Sequence, residues 1–270
     1  MLRMALALSL SLLVAAPTAA ASVDGIEIHS TVQGLARGQT IIFVHGWTCD
    51  ESSWAGQVAA LAGEYKVVTL DLPGHGKSEA PGEGEFSMDL FARAVEAVRR
   101  DVGADKVVLV GHSMGAAVIR EYALDYPEHV AGLVAVDGPL DMRPFAAIPR
   151  FPAPTREART GMIEGMFVPT TSPELRAQIL AMMLGAPDAT AAGAMAAMFD
   201  PKNQSDVKIM APALSIFAGN SNFASDQSAR ELLPNWSSEQ FAGTGHFLMM
   251  EQPARFNAAL RTFVEERAQF

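Results

Sequence analysis

One serine in the chain stands where its hydroxyl could be made to react. It lies in Gly111-His112-Ser113-Met114-Gly115, behind the β-branched run 106–110 and ahead of residues 116–126, whose apolar positions recur at helical spacing. A G-x-S-x-G pattern between a strand and a helix puts the serine on a sharp turn that lifts its side chain into a cleft, and the flanking glycines remove side chains that would collide there. A serine hydroxyl is a weak nucleophile at neutral pH, so a neutral imidazole has to accept its proton during attack. Six histidines are available. His29 lies ahead of the strands, His45 and His75 sit in turns, His112 belongs to the serine's own turn, and His129 precedes a strand. His246, in Gly243-Thr244-Gly245-His246-Phe247, follows the serine in chain order on a loop and is the candidate base. The base in turn needs a carboxylate that accepts its Nδ1–H and fixes its tautomer. Asp137, directly after the run 130–136 and beside Gly138, is the first candidate, because strand ends of a parallel sheet converge on one cleft. The second is Asp226, several residues into a later loop. The pairing expected is an Asp137 carboxylate within about 3.2 Å of His246 Nδ1.

Those residues need a scaffold, and the chain spells one. Runs 40–44, 65–70, 106–110, 130–136 and 213–219 are nearly continuous in apolar and β-branched residues, as strands covered on both faces are. Between the first four lie helical patterns at 53–62, 87–102 and 116–126, the second opened by Ser87 and the third stopped by Pro127. The tail 253–266 reads as an amphipathic helix. This alternation predicts an α/β fold, a mostly parallel, doubly wound sheet flanked by helices. Residues 22–138 and 211–270 would form the core and 139–210 a helical cap insertion. Eight of the 14 methionines fall between residues 140 and 210, where seven Arg and Lys balance seven Asp and Glu. Flexible, polarizable Met side chains suit irregular apolar ligands, and they serve equally well as filler between helices. Met162 and Met166, four apart, are expected on one helical face.

With these motifs in order, the chain resembles the α/β-hydrolase family from about residue 25 to its end. The resemblance rests on the Ser113 turn, on His45-Gly46-Trp47 after the first parallel strand, on Asp71-Leu72-Pro73-Gly74-His75-Gly76-Lys77-Ser78 after the next, and on the His246 segment. It implies a serine hydrolase acting on a carboxylic ester or related acyl substrate through an acyl-enzyme, with backbone N–H groups of Trp47 and Met114 holding the oxyanion. Asp71 and Ser78 read as ties within their turn. The chain departs from the family pattern after the strand at 213–219, where Asn222 occupies the position at which the acid is usual. Asp137 is then the expected substitute, since some relatives place their acid there. Ser113 argues against the epoxide hydrolases and haloalkane dehalogenases, which resemble the chain in their cap but use an Asp nucleophile. Lactonase, carbon–carbon bond hydrolase, aminopeptidase and perhydrolase readings use the same Ser–His machinery. A small-molecule binding protein or receptor without turnover, to which Asn222 could point, is the reading of another class.

Charge and composition narrow the partners. Thirty Asp and Glu against 20 Lys and Arg give a net charge of −10, which repels polyphosphate backbones, so no nucleic acid is expected. Cys49 is the single cysteine, which rules out an intramolecular disulfide and leaves no cysteine-built zinc site; neither a metal nor an organic cofactor is expected. The expected partner is a small apolar, ester-like molecule. Met1-Leu2-Arg3, an apolar run from residue 4 to 16 and the small residues to Ala21 compose a secretory leader, too short to span hydrocarbon, which needs about 20 residues. Residues 1–21 are thus expected to be removed on export to the periplasm or medium, leaving no membrane span. Intact-mass measurement on protein from the native host should then give a chain beginning near Ser22. A membrane fraction holding the full-length chain would show an anchor instead.

Overall fold

The computed structural model describes residues 21–147, 155–221, 223 and 226–270. The expected leader lies outside the described residues apart from Ala21. A short hairpin comes first, β1 (Ala21–Val23) and β2 (Ile26–Ile28), closed by Asp24 and Gly25 with φ of 52° and 83°. Two positive φ values make the tight turn whose twist matches antiparallel strands.

A seven-stranded sheet follows, in the order β3-β5-β4-β6-β7-β8-β9. Its strands are β3 (Ser30–Gly34), β4 (Thr40–Val44), β5 (Lys66–Leu70), β6 (Val107–His112), β7 (Val130–Val136), β8 (Ala213–Ala218) and β9 (Trp236–Phe241). All neighbours run parallel except β3, which is antiparallel to β5. The central β4, β6 and β7 are buried at every position, so they carry no polar alternation. β3 and β9, at the two edges, are partly exposed and polar, and sequence periodicity does not announce them.

Helices α1 (Ala55–Leu61), α2 (Met88–Asp101), α3 (Met114–Asp125) and α9 (Pro253–Glu266) connect and cover the strands. Ser87 caps α2 by accepting from Leu90 N at 3.0 Å, as its position predicts. α9 buries Phe256, Leu260, Phe263 and Val264, and Gly132 in β7 leaves room for Phe263, since a Cβ there would come within 2.8 Å of its ring.

Between β7 and β8 the described chain holds three α-helices and no strand: α4 (Arg156–Glu164), α5 (Pro173–Gly185) and α6 (Asp188–Met198). Buried Arg159 donates to the Ala186 carbonyl at 3.1 Å and so ties α4 to the end of α5. α6 is fastened to the sheet side by Thr190, whose hydroxyl donates to Gly74 O at 2.8 Å. Met162 and Met166 do not share a helical face: α4 stops at Glu164, with glycines at 161 and 165, and Met166 lies beyond it. Gly in a helix interior costs about 1 kcal/mol relative to Ala, which favours ending the helix there. Among the described residues no single helix is long and apolar enough to cross a membrane; α5 and α6 pass by length only as a pair bent by 91°. After β8 come α7 (Asp226–Leu232) and, past β9, the short α8 (Leu248–Glu251).

Candidate active site

Ser113 is the junction between β6 and α3, and its backbone has φ 53° and ψ −118°, outside the regions open to most side chains. Surrounding contacts hold it there. Its N–H donates to Val136 O at 2.9 Å, tying the turn to the end of β7. A Cβ on Gly111 would run into the Gly115 carbonyl, one on Gly115 into Val44 O, and one on Gly138 into Ser113 O. The glycines on either side of the serine are thus required by close backbone approach.

His246 reaches the same place from the loop between β9 and α8. Its Nδ1–H donates to Asp137 Oδ2 at 2.6 Å, inside the distance expected for that pair. A carboxylate can only accept, so the proton is on Nδ1 and the lone pair on Nε2. Asp137, at φ 40° just past β7, is buried and held by two further contacts: its N–H donates to Ile216 O at 2.8 Å, and Ala218 N donates to its Oδ1 at 3.0 Å. Burial pushes the Asp137 carboxyl up, but the His246 hydrogen bond and charge, with the Ser221 and Ala218 donors, outweigh it and hold the carboxyl below its ordinary range. Asn222 lies outside the described residues, as does the side chain of Asp226, whose backbone opens α7.

The main chain of His246 is pinned as firmly as its ring. Its N–H donates to Met166 O at 3.0 Å, and its carbonyl accepts from His112 Nε2 at 2.9 Å. Glu251 braces the same loop by accepting from Gly245 N at 2.8 Å and from the Thr171 hydroxyl at 2.9 Å. Met166, His112 and Glu251 were not singled out for this from sequence, because their partners lie on loops that only the fold brings together.

The turn His45-Gly46-Trp47 presses on the serine: a Cβ on Gly46 would sit 3.2 Å from Ser113 Cβ. Buried His45 donates from Nδ1 to Gly46 O at 2.8 Å and accepts at Nε2 from Leu72 N at 3.0 Å, so it is neutral, and burial lowers its pKa. Trp47 sends its indole N–H to Ala191 O in α6 at 2.8 Å. Met114 is the first residue of α3, where a backbone N–H has no partner within its own helix. Asp71 does tie its turn, accepting from Glu51 N at 2.7 Å and Lys77 N at 2.8 Å, and Ser78 donates to Asp71 O at 2.6 Å.

These elements enclose a cavity of about 740 Å³ that Ser113, His246, Asp137 and Trp47 all line. Five methionines, Met162, Met166, Met183, Met195 and Met198, join Phe199, Phe223 and Phe247 on its walls, and no Arg or Lys is among its described lining residues. Outside its lining, His29, Glu51 and Asp71 bring three potential metal ligands within 4.8 Å of one another. Lys77 Nζ lies 3.2 Å from Glu51 Oε1 and 3.3 Å from His29 Nε2, so an ammonium already supplies the positive charge there.

Residues 39–253 match the family model described as the alpha/beta hydrolase fold. The chain belongs to that family. It is 30% identical over 264 residues to a 2-hydroxy-6-oxononadienedioate/2-hydroxy-6-oxononatrienedioate hydrolase from Paraburkholderia phymatum, covering 88% of this chain and 91% of that protein. A pimeloyl-[acyl-carrier protein] methyl ester esterase from Aeromonas hydrophila is 35% identical over 106 residues, and the chain spans only 40% of its length. Among solved structures, a thermophilic esterase from Thermogutta terrifontis superimposes with a TM-score of 0.79 at 25% identity, covering 93% of this chain and 98% of that one.

The Asp137 carboxyl makes a pH-dependent contribution to stability whose sign is fixed. Its native pKa lies below the unfolded value of about 3.9, so its contribution is complete above that value and lost as pH falls through the lower native one. In urea unfolding, Asp137→Asn should be destabilised relative to wild type at pH 7, and the gap should shrink at pH 3. A gap of the same size at both pH values would contradict the assignment.

Proposed function

We propose that the protein is an exported, cofactor-independent serine hydrolase that cleaves carboxylic esters with small to medium apolar acyl groups. The observation that carries this is the 2.6 Å Asp137–His246 pair lining one cavity with Ser113 on its strained turn. In this reading His246 Nε2 takes the Ser113 proton as Oγ attacks the ester carbonyl, and Asp137 stabilises the imidazolium that forms. The N–H groups of Trp47 and Met114 receive the negative charge that develops on the carbonyl oxygen. Collapse of the tetrahedral intermediate expels the alcohol, which takes the proton from His246 and leaves an acyl-serine. Water, deprotonated by His246, then releases the acid and restores the serine.

The cavity supports the substrate class. A dianionic dioate, as in the name of the Paraburkholderia relative, would need cationic partners that the described lining does not offer, whereas Met and Phe walls accept an alkyl chain. Helices α4 to α6, within residues 139–210, are the cap of this proposal, and the leader of residues 1–21 is its address.

A fluorophosphonate probe should label Ser113 and fail on Ser113→Ala, and short-chain p-nitrophenyl esters should turn over without added metal or nucleotide. Asp137→Asn should lower kcat by up to about 10⁴-fold, the scale known for loss of the acid in the serine-protease triad. A folded protein that neither labels nor turns over would favour a binding role, and activity lost to a chelator and restored by zinc would overturn the serine mechanism.

Met183 and Met195 test the pocket. Both are buried and line the cavity from α5 and α6. Met183→Ala and Met195→Ala should move the preferred acyl length upward, read as kcat/KM across a series of p-nitrophenyl esters. Unchanged selectivity with a large drop in melting temperature would make these residues core filler only.

A further inference from the structure

His112 is buried, belongs to the serine's own turn and has no part in the proton transfers proposed above. It nonetheless touches each arm of the site. Its Nε2 lies 2.9 Å from the main-chain carbonyl of His246, and its ring packs on the His246 ring at 4.7 Å and on Phe247 at 4.9 Å. On the other side, a Cβ on Gly46 would stand 2.9 Å from its Nδ1, so the same imidazole also backs the turn that leads to Trp47. A carbonyl only accepts, which puts the proton on Nε2 and a lone pair on Nδ1. That Nδ1 is buried without a hydrogen-bond partner. Burying a polar group without a partner is costly, and an apolar side chain would avoid the cost, so the Nε2–H bond is the feature that distinguishes histidine here.

The geometry points to His112 as a positioning residue: its Nε2–H holds the main-chain carbonyl of His246, so that the residue next to the nucleophile sets where the base stands. The inference rests on the serine-hydrolase reading and extends it. The His246 main chain has two anchors, Met166 O at its N–H and His112 at its carbonyl, and the carbonyl anchor is the one made by a side chain. With that anchor lost, the peptide plane after His246 can rotate and carry the imbalance into the ring, and small misplacements of a base are expensive in rate. Burial first, and the nearby His246 second, hold the His112 pKa down at about 3, so it stays a neutral donor and adds no like charge beside the imidazolium formed during turnover.

Gln and Met separate the donor from the bulk. The two side chains are close in length and flexibility, and only Gln carries an N–H at the distance of Nε2. Fluorophosphonate labelling rates at Ser113, with kcat and KM for a p-nitrophenyl ester, should be measured for wild type, His112→Gln and His112→Met, each checked for cooperative melting. Expected for His112→Met is a fall of about tenfold in labelling rate and kcat with KM nearly unchanged, the size of one lost neutral hydrogen bond. His112→Gln should stay within about threefold of wild type, since it keeps the bond. Equal rates in the two variants overturn the inference, whether both match wild type or both fall. If the Met variant does not fold, His112→Phe, which keeps ring packing against Phe247, replaces it in the same comparison. Wild-type protein that never labels sinks the serine-hydrolase reading itself, an outcome distinct from equal Gln and Met rates in a protein that labels.

Discussion

Between β6 and α3 the chain reverses at a single residue, and little room is left around it. Ser113 sits at φ 53°, a conformation that costs on the order of 1–3 kcal/mol for a non-glycine residue and persists only where neighbours leave no alternative. The neighbours are backbone. Gly111 and Gly115 approach each other, Gly115 meets Val44 O, Gly138 meets Ser113 O, and Gly46 lies against the serine Cβ. Each of these glycines belongs to a different part of the sheet's carboxyl edge or to the turn itself. The strain is therefore balanced by the packing of β4, β6 and β7, and Ser113 is presented to the cavity by the buried central strands.

That arrangement also brings the carboxylate at the end of β7 to the serine turn. β7 is the immediate neighbour of β6 in the sheet, paired His112 to Val136, so the residue after Val136 emerges beside the serine turn. Asp137 needs no long loop to arrive there. Its burial would favour the neutral acid, yet His246 and the N–H of Ala218 bond to the ionised form and win. The strand end fixes the position, and the hydrogen bonds fix the charge.

Much of this was legible in sequence where physics acts locally. β4 and β7 stand at the residues their apolar runs indicate, α9 spans the tail as read, and Ser87 caps α2. Ser113, His246 and Asp137, which line one cavity, stand at a turn and at a strand end that have sequence signatures. The misses have physical reasons. β3 and β9 are edge strands, half exposed, whose polar residues hide the pattern of a buried strand. The Asp24-Gly25 hairpin carries a sequence signal, a tight-turn dipeptide, but its flanking runs are only three residues long. Met162 and Met166 were joined on one helix because spacing alone ignores the glycines that end α4. His112 and Glu251 draw their roles from loops far away in sequence, and no local pattern encodes such a meeting.

Each of several hydrogen bonds between the 155–199 stretch and the segments around the cavity uses a main-chain atom on at least one side. Trp47 donates to Ala191 O, His246 N donates to Met166 O, Thr170 donates to Gly243 O and Thr190 donates to Gly74 O. In the first two the atom offered by the insertion is a backbone carbonyl, which any residue at that position supplies. Met166 does both within one residue: its carbonyl accepts from His246 N, and the residue lines the cavity. Backbone carbonyls of residues 166 and 191 thus hold the His246 loop and the Trp47 indole, whereas the cavity wall nearby is made of side chains that vary in size independently of those carbonyls.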